Sequence, residues 1–294
     1  MSWFTPAVYL GALAIGLGIG ALTGMFGVGG GFLVTPLLNV LLGVPMPFAV
    51  GTGLLQVLGT TSSGIYLRRK SGLMDLKLAV TLFGGNTVGV WLGAETLNSL
   101  KRAAEVHVRG QVVAAADLYT LIIYVVLLAG IAAYMLYDTG RKAPPPEGER
   151  SPFARVRIPP YTTYDSLPGH ALSIPALSYF GLVLGYLTGL LGVGGGVVLL
   201  PALVYLLGLR THAAAATSLV MVWFSAAIAV VSHTLARNTR LDLAIPLLVG
   251  GTVGVQVGVA IADRTGAARL RRYFAWVVVL AVVVVGWKLL GMVW

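Results

Sequence analysis

The chain has 294 residues, of which 57% are hydrophobic and only 10% are charged. Because a soluble domain carries about 25% charged residues, this composition excludes an ordinary water-soluble fold and favours membrane-spanning helices. The formal net charge of +10 does not indicate nucleic-acid binding, since the basic residues lie in loops between apolar runs, as membrane topology predicts.

The first half of the chain contains four full-length apolar runs and one short run. The full-length runs are Pro6–Phe26, Phe48–Leu67, Leu76–Ala94 and Leu118–Tyr137, each long enough to cross a bilayer as a helix. The short run, Phe32–Leu42, reaches only about half of the hydrocarbon core at 1.5 Å per residue. The charged segment Glu95–Asp117 predicts a surface amphipathic helix. Met1–Thr5 carries no basic residue, which argues against a cleavable signal peptide.

The second half repeats the first with an offset of 165 residues. Gly27-Val28-Gly29-Gly30-Gly31 recurs as Gly192-Val193-Gly194-Gly195-Gly196. We call these two segments the glycine clusters. The first copy precedes the short run Phe32–Leu42, which contains Pro36, and the second precedes the matching short run Val197–Leu207, which contains Pro201. Each interior glycine costs a helix about 0.8–1.0 kcal/mol relative to alanine, so two clusters at matching places indicate a function.

The segment between the halves is rich in proline and arginine, including Pro144-Pro145-Pro146 and Pro159-Pro160, and predicts an extended, solvated connection. We therefore divide the chain into a first transmembrane repeat, 1–137, a hydrophilic linker, 138–172, and a second transmembrane repeat, 173–294. The predicted fold is an all-α polytopic membrane protein with two homologous halves of about five hydrophobic segments each and short helices broken by glycine and proline.

The charges favour inverted rather than parallel repeats. If each short run crosses the membrane, a half has an odd number of crossings and the second half is inverted, whereas a re-entrant short run makes the repeat parallel. With the N-terminus outside and every short run crossing, both Arg68–Lys77 and Arg264–Arg272 are internal. This arrangement obeys the positive-inside rule, and the parallel one places Arg264–Arg272 outside.

Short, interrupted apolar segments at matching places in two halves are typical of a transporter binding site. A helix that begins at a glycine-rich bend presents free backbone N–H groups and the positive end of its dipole, and such an end binds anions. The runs hold no Asp, Glu, Lys or Arg away from their ends, which argues against a buried cation site or a carboxylate proton relay.

The candidate substrate-binding residues are the clustered glycines and neutral polar side chains of the runs. They are Gly27, Gly29, Gly30, Gly31, Thr52, Gln56, Asn86, Gly192, Gly194, Gly195, Gly196, Thr217, Ser218 and Gln256. For any single hydroxyl, interhelical hydrogen bonding is the simpler explanation, and the large amides are the stronger candidates. His212 and His233 lie near span ends, where an interfacial position is expected.

Enzyme signatures are missing from the sequence. No P-loop lysine follows the glycines, no HExxH or GxSxG motif occurs, and there is no cysteine. We therefore expect a protein that is not an enzyme and that uses no cofactor and no metal. Its expected partners are a small anionic substrate and the lipid bilayer, without nucleic acid, and the sequence leaves a homo-oligomer open.

The two Gly-x-Gly-Gly-Gly clusters, each with its downstream proline and flanking glycine ladders, resemble the sulfite exporter TauE/SafE family of 4-toluene sulfonate uptake permease-like transporters. The resemblance covers both halves. It implies a multi-pass permease of the cytoplasmic membrane for small sulfur-containing anions such as sulfite, sulfonates or related organic acids. The direction of transport does not carry over, because family members differ in it.

Three functions are compatible with these features. The first is a secondary transporter of a small anion that works by alternating access around the two broken helices. A passive anion channel is the second, and flux without saturation or accumulation would favour it. The third is a membrane enzyme or assembly factor without transport, which absence of any anion flux would favour.

Overall fold

The computed structural model describes residues 6–102, 106–108, 111–139, 152–156, 158–167, 171–192 and 194–293. Within them the chain forms ten α-helices in two sets of five. The first set is α1 (Pro6–Phe26), α2 (Gly31–Leu42), α3 (Met46–Arg68), α4 (Leu76–Arg102) and α5 (Ala115–Thr139). The second set is α6 (Ile174–Leu191), α7 (Gly196–Tyr205), α8 (Thr211–Leu235), α9 (Leu241–Asp263) and α10 (Ala267–Val293). The predicted all-α fold is confirmed.

Short elements connect some of these helices. Strand β1 (Val106–Val108) pairs antiparallel with β2 (Gln111–Val113), and β3 (Tyr161–Thr163) pairs antiparallel with β4 (Ala171–Ser173). The amphipathic helix predicted over Glu95–Asp117 is therefore wrong: α4 continues to Arg102 and a hairpin follows. The physical reason is the valines on both sides of the hairpin turn, because β-branched residues favour strands. Much of the 138–172 linker lies outside the described residues.

Six of the described helices are long and apolar enough to cross a membrane, namely α1, α5, α6, α8, α9 and α10. Helices α3 and α4, predicted as spans, have sufficient length at 23 and 27 residues but are more polar than their copies α8 and α9. Much of α3 is shielded from the surroundings, and its Thr52, Gln56, Thr60 and Thr61 side chains are all buried. Inward-facing polar residues thus lower its hydropathy without facing lipid.

The two halves interlock through their glycine ladders. Helix α1 packs along α9, and its copy α6 packs along α4. A methyl group on Gly20 would overlap the backbone of Gly251, and one on Gly185 would overlap the backbone of Asn86. Because residues without side chains let two backbones approach closely, each half is held mainly by the other half.

Helix α3 and its copy α8 run antiparallel across the molecule. Gly64, near the end of α3, lies against Leu219 near the start of α8. Gly51, near the start of α3, lies against Asn238, just beyond the end of α8. The α3–α4 connection and the start of α8 therefore share one end of the molecule, which we call the α3 exit end.

Asp75 organises the α3 exit end. Its Oδ1 accepts the Leu78 backbone N–H at 2.8 Å, and its Oδ2 accepts the Ser166 hydroxyl at 2.7 Å and the Ser166 N–H at 3.1 Å. The Asp75 N–H donates to Thr217 Oγ1 at 3.0 Å. One buried carboxylate thus caps α4 and anchors the linker to the membrane-spanning part.

Replacement of Asp75 by alanine is expected to reduce the free energy of unfolding by about 2 kcal/mol, because a helix cap and two further hydrogen bonds are lost. Thermal unfolding of the detergent-solubilised protein measures this change. Asp75→Asn keeps an acceptor oxygen and should lose less. An Asp75→Ala protein as stable as wild type would contradict the anchoring role.

Candidate functional site

Each glycine cluster forms a sharp left-handed bend between a long helix and a short one. Gly27, Gly29 and Gly30 have φ values of 70°, 73° and 70°, and their counterparts in the second cluster have 70°, 69° and 75°. These values are costly for any residue with a Cβ atom, so glycine is required here. The sequence repeat is therefore a repeat of backbone conformation as well.

The bends leave the first turns of α2 and α7 without side-chain caps. Gly30 and Gly195 occupy the N-cap positions and make no side-chain hydrogen bond. In α2, Leu33 and Val34 are the first residues whose N–H groups bond to the Gly30 carbonyl, and in α7 Val198 and Leu199 bond to Gly195 in the same way. The N–H groups that precede them have no acceptor within their own helix.

The two bends meet at the centre of the molecule around a pair of valines. Methyl groups placed on Gly29 and on Gly194 would both contact Val57 of α3 and Val222 of α8. A methyl group on Gly196 would overlap the carbonyl of Val28. Val57 and Val222 are equivalent in the repeat and fully buried. The two helix N-termini thus converge on one closed, apolar contact.

Each bend also contacts the long inner helix of the other half. The Ser218 hydroxyl of α8 donates to the Gly27 carbonyl at 2.8 Å, so this candidate residue lies at the first glycine cluster. In the opposite direction, a methyl group on Gly192 would lie 3.0 Å from Val50 Cγ1 of α3 and 2.9 Å from Thr35 Oγ1 of the short helix α2. Sequence reasoning left Thr35 out, because nothing in the primary structure links it to the second cluster.

The amides Gln56 and Asn86 occupy related but different positions. Asn86 of α4 accepts a hydrogen bond from Ser225 at 2.9 Å and donates to the Gly181 carbonyl at 3.4 Å. Gly251 is the counterpart of Asn86 in the repeat, and Gln56 Nε2 lies 3.0 Å from the position of its methyl group. Both amides therefore come from the first half of the chain, but they contact different helices of the second half: Gln56 lies beside α9, and Asn86 contacts α8 and α6.

Gln56 is the amide without partners. It is fully buried, and neither its Nε2 nor its Oε1 makes a hydrogen bond within the described part of the chain. A buried amide without partners costs free energy, since both groups lose the hydrogen bonds they had in water. Such a group is a candidate for contact with a ligand.

The contacts of Gln56 and Asn86 lie at Gly251 and Gly181 and not at the glycine clusters, and three further candidate residues also lie elsewhere. The Thr52 hydroxyl accepts the Arg240 N–H at 3.1 Å, and Thr217 binds Asp75, so both hydroxyls hold helix ends. Gln256 is exposed on α9, where its Nε2 approaches only the Thr252 carbonyl at 3.5 Å. The glycine face of α9 packs on α1, and the exposed Gln256 points away from the centre.

Two residues near span ends have unexpected positions. Arg68 is the last residue of α3 rather than part of a loop, and it is buried with Nη2 donating to the Gly24 carbonyl at 2.8 Å. His233 is fully buried, so the expected interfacial position is wrong, and its Nε2 lies 2.9 Å from the Gly189 carbonyl. Arg68 and His233 are 165 residues apart, and so are Gly24 and Gly189. The sequence repeat could therefore have shown that the two side chains occupy equivalent positions.

Carboxylates are distributed away from the bends. The buried carboxylates of the described residues, Asp75 and Asp138, lie at the ends of helices. Within the same residues, no group of three or more metal-ligating side chains occurs. The centre is therefore formed by glycine backbone, valines and neutral amides and hydroxyls.

Comparison with known proteins gives a consistent result. The family model described as Sulfite exporter TauE/SafE matches residues 12–285. A probable membrane transporter protein of Xylella fastidiosa (strain 9a5c) is 25% identical over 275 residues, which is 92% of both chains. The probable membrane transporter protein YunE of Bacillus subtilis (strain 168) is 26% identical over 85% of this chain and 86% of its own. No solved structure gives a significant match.

Proposed function

The chain belongs to the sulfite exporter TauE/SafE family, and from this premise we propose that this integral membrane protein is a secondary transporter of a small sulfur-containing oxyanion. Sulfite, a sulfonate or a related organic acid is the proposed substrate class. The proposed location is the cell membrane, which the chain crosses many times.

The observation that carries this proposal is the convergence of two uncapped helix N-termini at Val57 and Val222. Free N–H groups and the positive ends of two helix dipoles favour an anion, and glycine lets it approach the backbone. Buried carboxylates would repel an anion, and those of the described residues lie at helix ends. An anion held by neutral donors fits this chemistry.

Alternating access is the proposed mechanism. The antiparallel packing of α3 and its copy α8 supports an inverted repeat, in which the same two bends are presented to opposite sides of the membrane. Val57 and Val222 close the contact between the bends. Rocking of one half against the other would separate these valines and admit the substrate to the free N–H groups from one side at a time.

Flux measurements on reconstituted protein test the proposal. Proteoliposomes that contain the full chain should take up labelled sulfite or toluenesulfonate with saturation and should accumulate it when a gradient is supplied. Flux that neither saturates nor drives accumulation would support a passive channel instead. Absence of flux for every probe, in protein that unfolds cooperatively, would favour a membrane enzyme or assembly factor.

Replacement of Gln56 by methionine tests the amide. Methionine is the residue that stands at the equivalent place in α8, Met221, so the substitution fits the repeat. Removing a buried amide without partners is expected to leave thermal stability unchanged or slightly higher. The loss of a substrate donor is expected to reduce kcat/KM for anion flux by at least about tenfold, because a hydrogen bond to a charged group contributes about 1.5–3 kcal/mol.

The matched control is Gln256→Met, which alters the same kind of side chain on an exposed surface. It is expected to change neither stability nor flux. Equal flux in the Gln56→Met and Gln256→Met proteins would remove Gln56 from the proposed site.

A further inference from the structure

Arg68 is a buried cation that has too few partners. The residue is only 4% exposed, and its Nε makes no hydrogen bond in the described part of the chain. Nη2 donates to a neutral carbonyl, that of Gly24, and no carboxylate of the described residues lies within ion-pair distance. Burying a charge without a directly paired counter-charge is costly, so an anion is expected to complete the site.

The position of Arg68 places this charge beside the first glycine cluster. Gly24 is in the last turn of α1, three residues before the bend begins at Gly27. Because α1 ends at Phe26, the Gly24 carbonyl has no N–H donor from a following turn of the helix. Arg68 Nη2 supplies that hydrogen bond instead. The guanidinium is therefore fixed to the bend while its Nε edge remains available.

The second half shows what the same place looks like without a permanent charge. His233 is the counterpart of Arg68, and it contacts Gly189, the counterpart of Gly24. The carboxylate whose field acts on Arg68 is Asp263, and its counterpart is Asn98, an amide that accepts a hydrogen bond from Asn238. The capping contact is thus common to both halves, whereas the guanidinium in that position is confined to the α3 exit end; near His233 the permanent charge is that of Lys101, which donates to Asn238 Oδ1 at 2.6 Å.

This comparison separates two roles of Arg68. Capping of the broken helix needs only one donor, and an imidazole supplies it in the second half. A fixed positive charge and a fork of N–H groups go beyond that need. A guanidinium fork matches two oxygen atoms carried by one central atom, as in a sulfonate, a sulfite or a carboxylate.

We propose that Arg68 is a substrate-binding residue at the α3 exit end, whose Nε edge binds an oxyanion next to the first glycine cluster. This inference rests on the proposed transport function and extends it. The oxyanion passes between Arg68 and the free N–H groups of α2, and the symmetry-related station at His233 lacks the guanidinium fork. Binding is therefore stronger on the Arg68 side, and monatomic anions such as chloride gain less from the fork.

Three substitutions of Arg68 test this role in the full-length chain. Arg68→His copies the arrangement of the second half, so the fold has a precedent for it. Arg68→Gln keeps a donor for the Gly24 carbonyl and removes the charge, and Arg68→Lys keeps the charge and removes the fork. The matched control is Arg69→Gln, because Arg69 is the exposed neighbour that stacks on Tyr66.

The probes are toluenesulfonate and sulfite, followed by thermal stabilisation of detergent-solubilised protein and by flux into proteoliposomes. We expect the Gln and His variants to bind toluenesulfonate at least about tenfold more weakly than wild type, as loss of a charged hydrogen bond implies. Their unliganded melting temperatures should stay near that of wild type. Arg68→Lys should be intermediate, and Arg69→Gln should behave as wild type.

The outcomes are distinguishable. If the Gln and His variants bind toluenesulfonate as tightly as the wild-type protein, the role of Arg68 is overturned. The proposed transport function still stands in that case, provided that the wild-type protein shows saturable flux. A variant that loses melting temperature but keeps its KM would show that Arg68 only caps α1. Wild-type protein with neither binding nor flux for either probe would overturn the transport function and the Arg68 role together.

Discussion

Gly27→Ala is expected to reduce the free energy of unfolding by about 2–5 kcal/mol and to abolish anion flux. Alanine at a φ of 70° costs about 1–2 kcal/mol, because in the left-handed conformation its Cβ lies too close to the following carbonyl oxygen. That Cβ would also overlap the Ala215 carbonyl and lie 2.8 Å from Ser218 Oγ. Overpacking of this kind adds about 1–3 kcal/mol, and the neighbour is helix backbone that cannot rotate away.

Two other glycines provide matched comparisons for Gly27. Gly72 has a φ of 67° and open space around its Cβ position, so Gly72→Ala measures the conformational cost alone. A Cβ on Gly192 would lie 2.9 Å from Thr35 Oγ1 and 3.0 Å from Val50 Cγ1, which are milder approaches. Thermal unfolding should rank the losses Gly27, then Gly192, then Gly72. Equal losses for Gly27→Ala and Gly72→Ala would show that the contact with α8 does not restrict the bend.

Gly85→Ala is expected to force α4 and α6 apart and to destabilise the protein by about 3 kcal/mol. A Cβ on Gly85 would overlap the Ser178 carbonyl of α6 and lie 3.0 Å from the Leu182 nitrogen. Both are backbone atoms, so relief requires α4 and α6 to move apart along their whole contact. Anion flux should fall together with stability, because α6 leads directly into the second glycine cluster and its displacement would move that bend.

The adjacent residue supplies the control for this prediction. Gly84 lies in the same helix, is exposed, and has no neighbour within 4 Å of its Cβ position. Gly84→Ala is expected to change stability by no more than about 1 kcal/mol, in the stabilising direction, since alanine has the higher helix propensity. Melting temperatures of the two variants in the same detergent give the comparison. A Gly84→Ala protein as unstable as Gly85→Ala would point to a general intolerance of α4 to substitution.

The long and short helices were predictable because their signals are local. Apolar length defines α1, α5, α6, α8, α9 and α10 directly. The bends at the glycine clusters were also predictable, because five-residue glycine-rich segments break a helix wherever they occur. The hairpin β1–β2 was missed because a short alternating pattern inside a charged segment gives a weak signal.

The candidate site was predictable only in part. The clustered glycines and Ser218 lie together, whereas the buried amides Gln56 and Asn86 lie beside Gly251 and Gly181 of the glycine ladders. Thr52 and Thr217 could not be separated from binding residues by sequence, since a hydroxyl within an apolar run has the same appearance when it caps a neighbouring helix. Gln256 illustrates the same limit, because residue type does not say which face of a packed helix looks outward.

The sequence by itself determined that this chain is a duplicated membrane protein with two glycine-broken helices, since composition, apolar length and the 165-residue repeat are properties of the chain alone. Only the tertiary structure decided how the halves exchange contacts: α1 on α9, α6 on α4, and both bends on Val57 and Val222. It also decided that Arg68 and His233 are buried on equivalent carbonyls. The physical reason is that these contacts join residues far apart in the chain, and packing selects them through side-chain volume, which glycine leaves free.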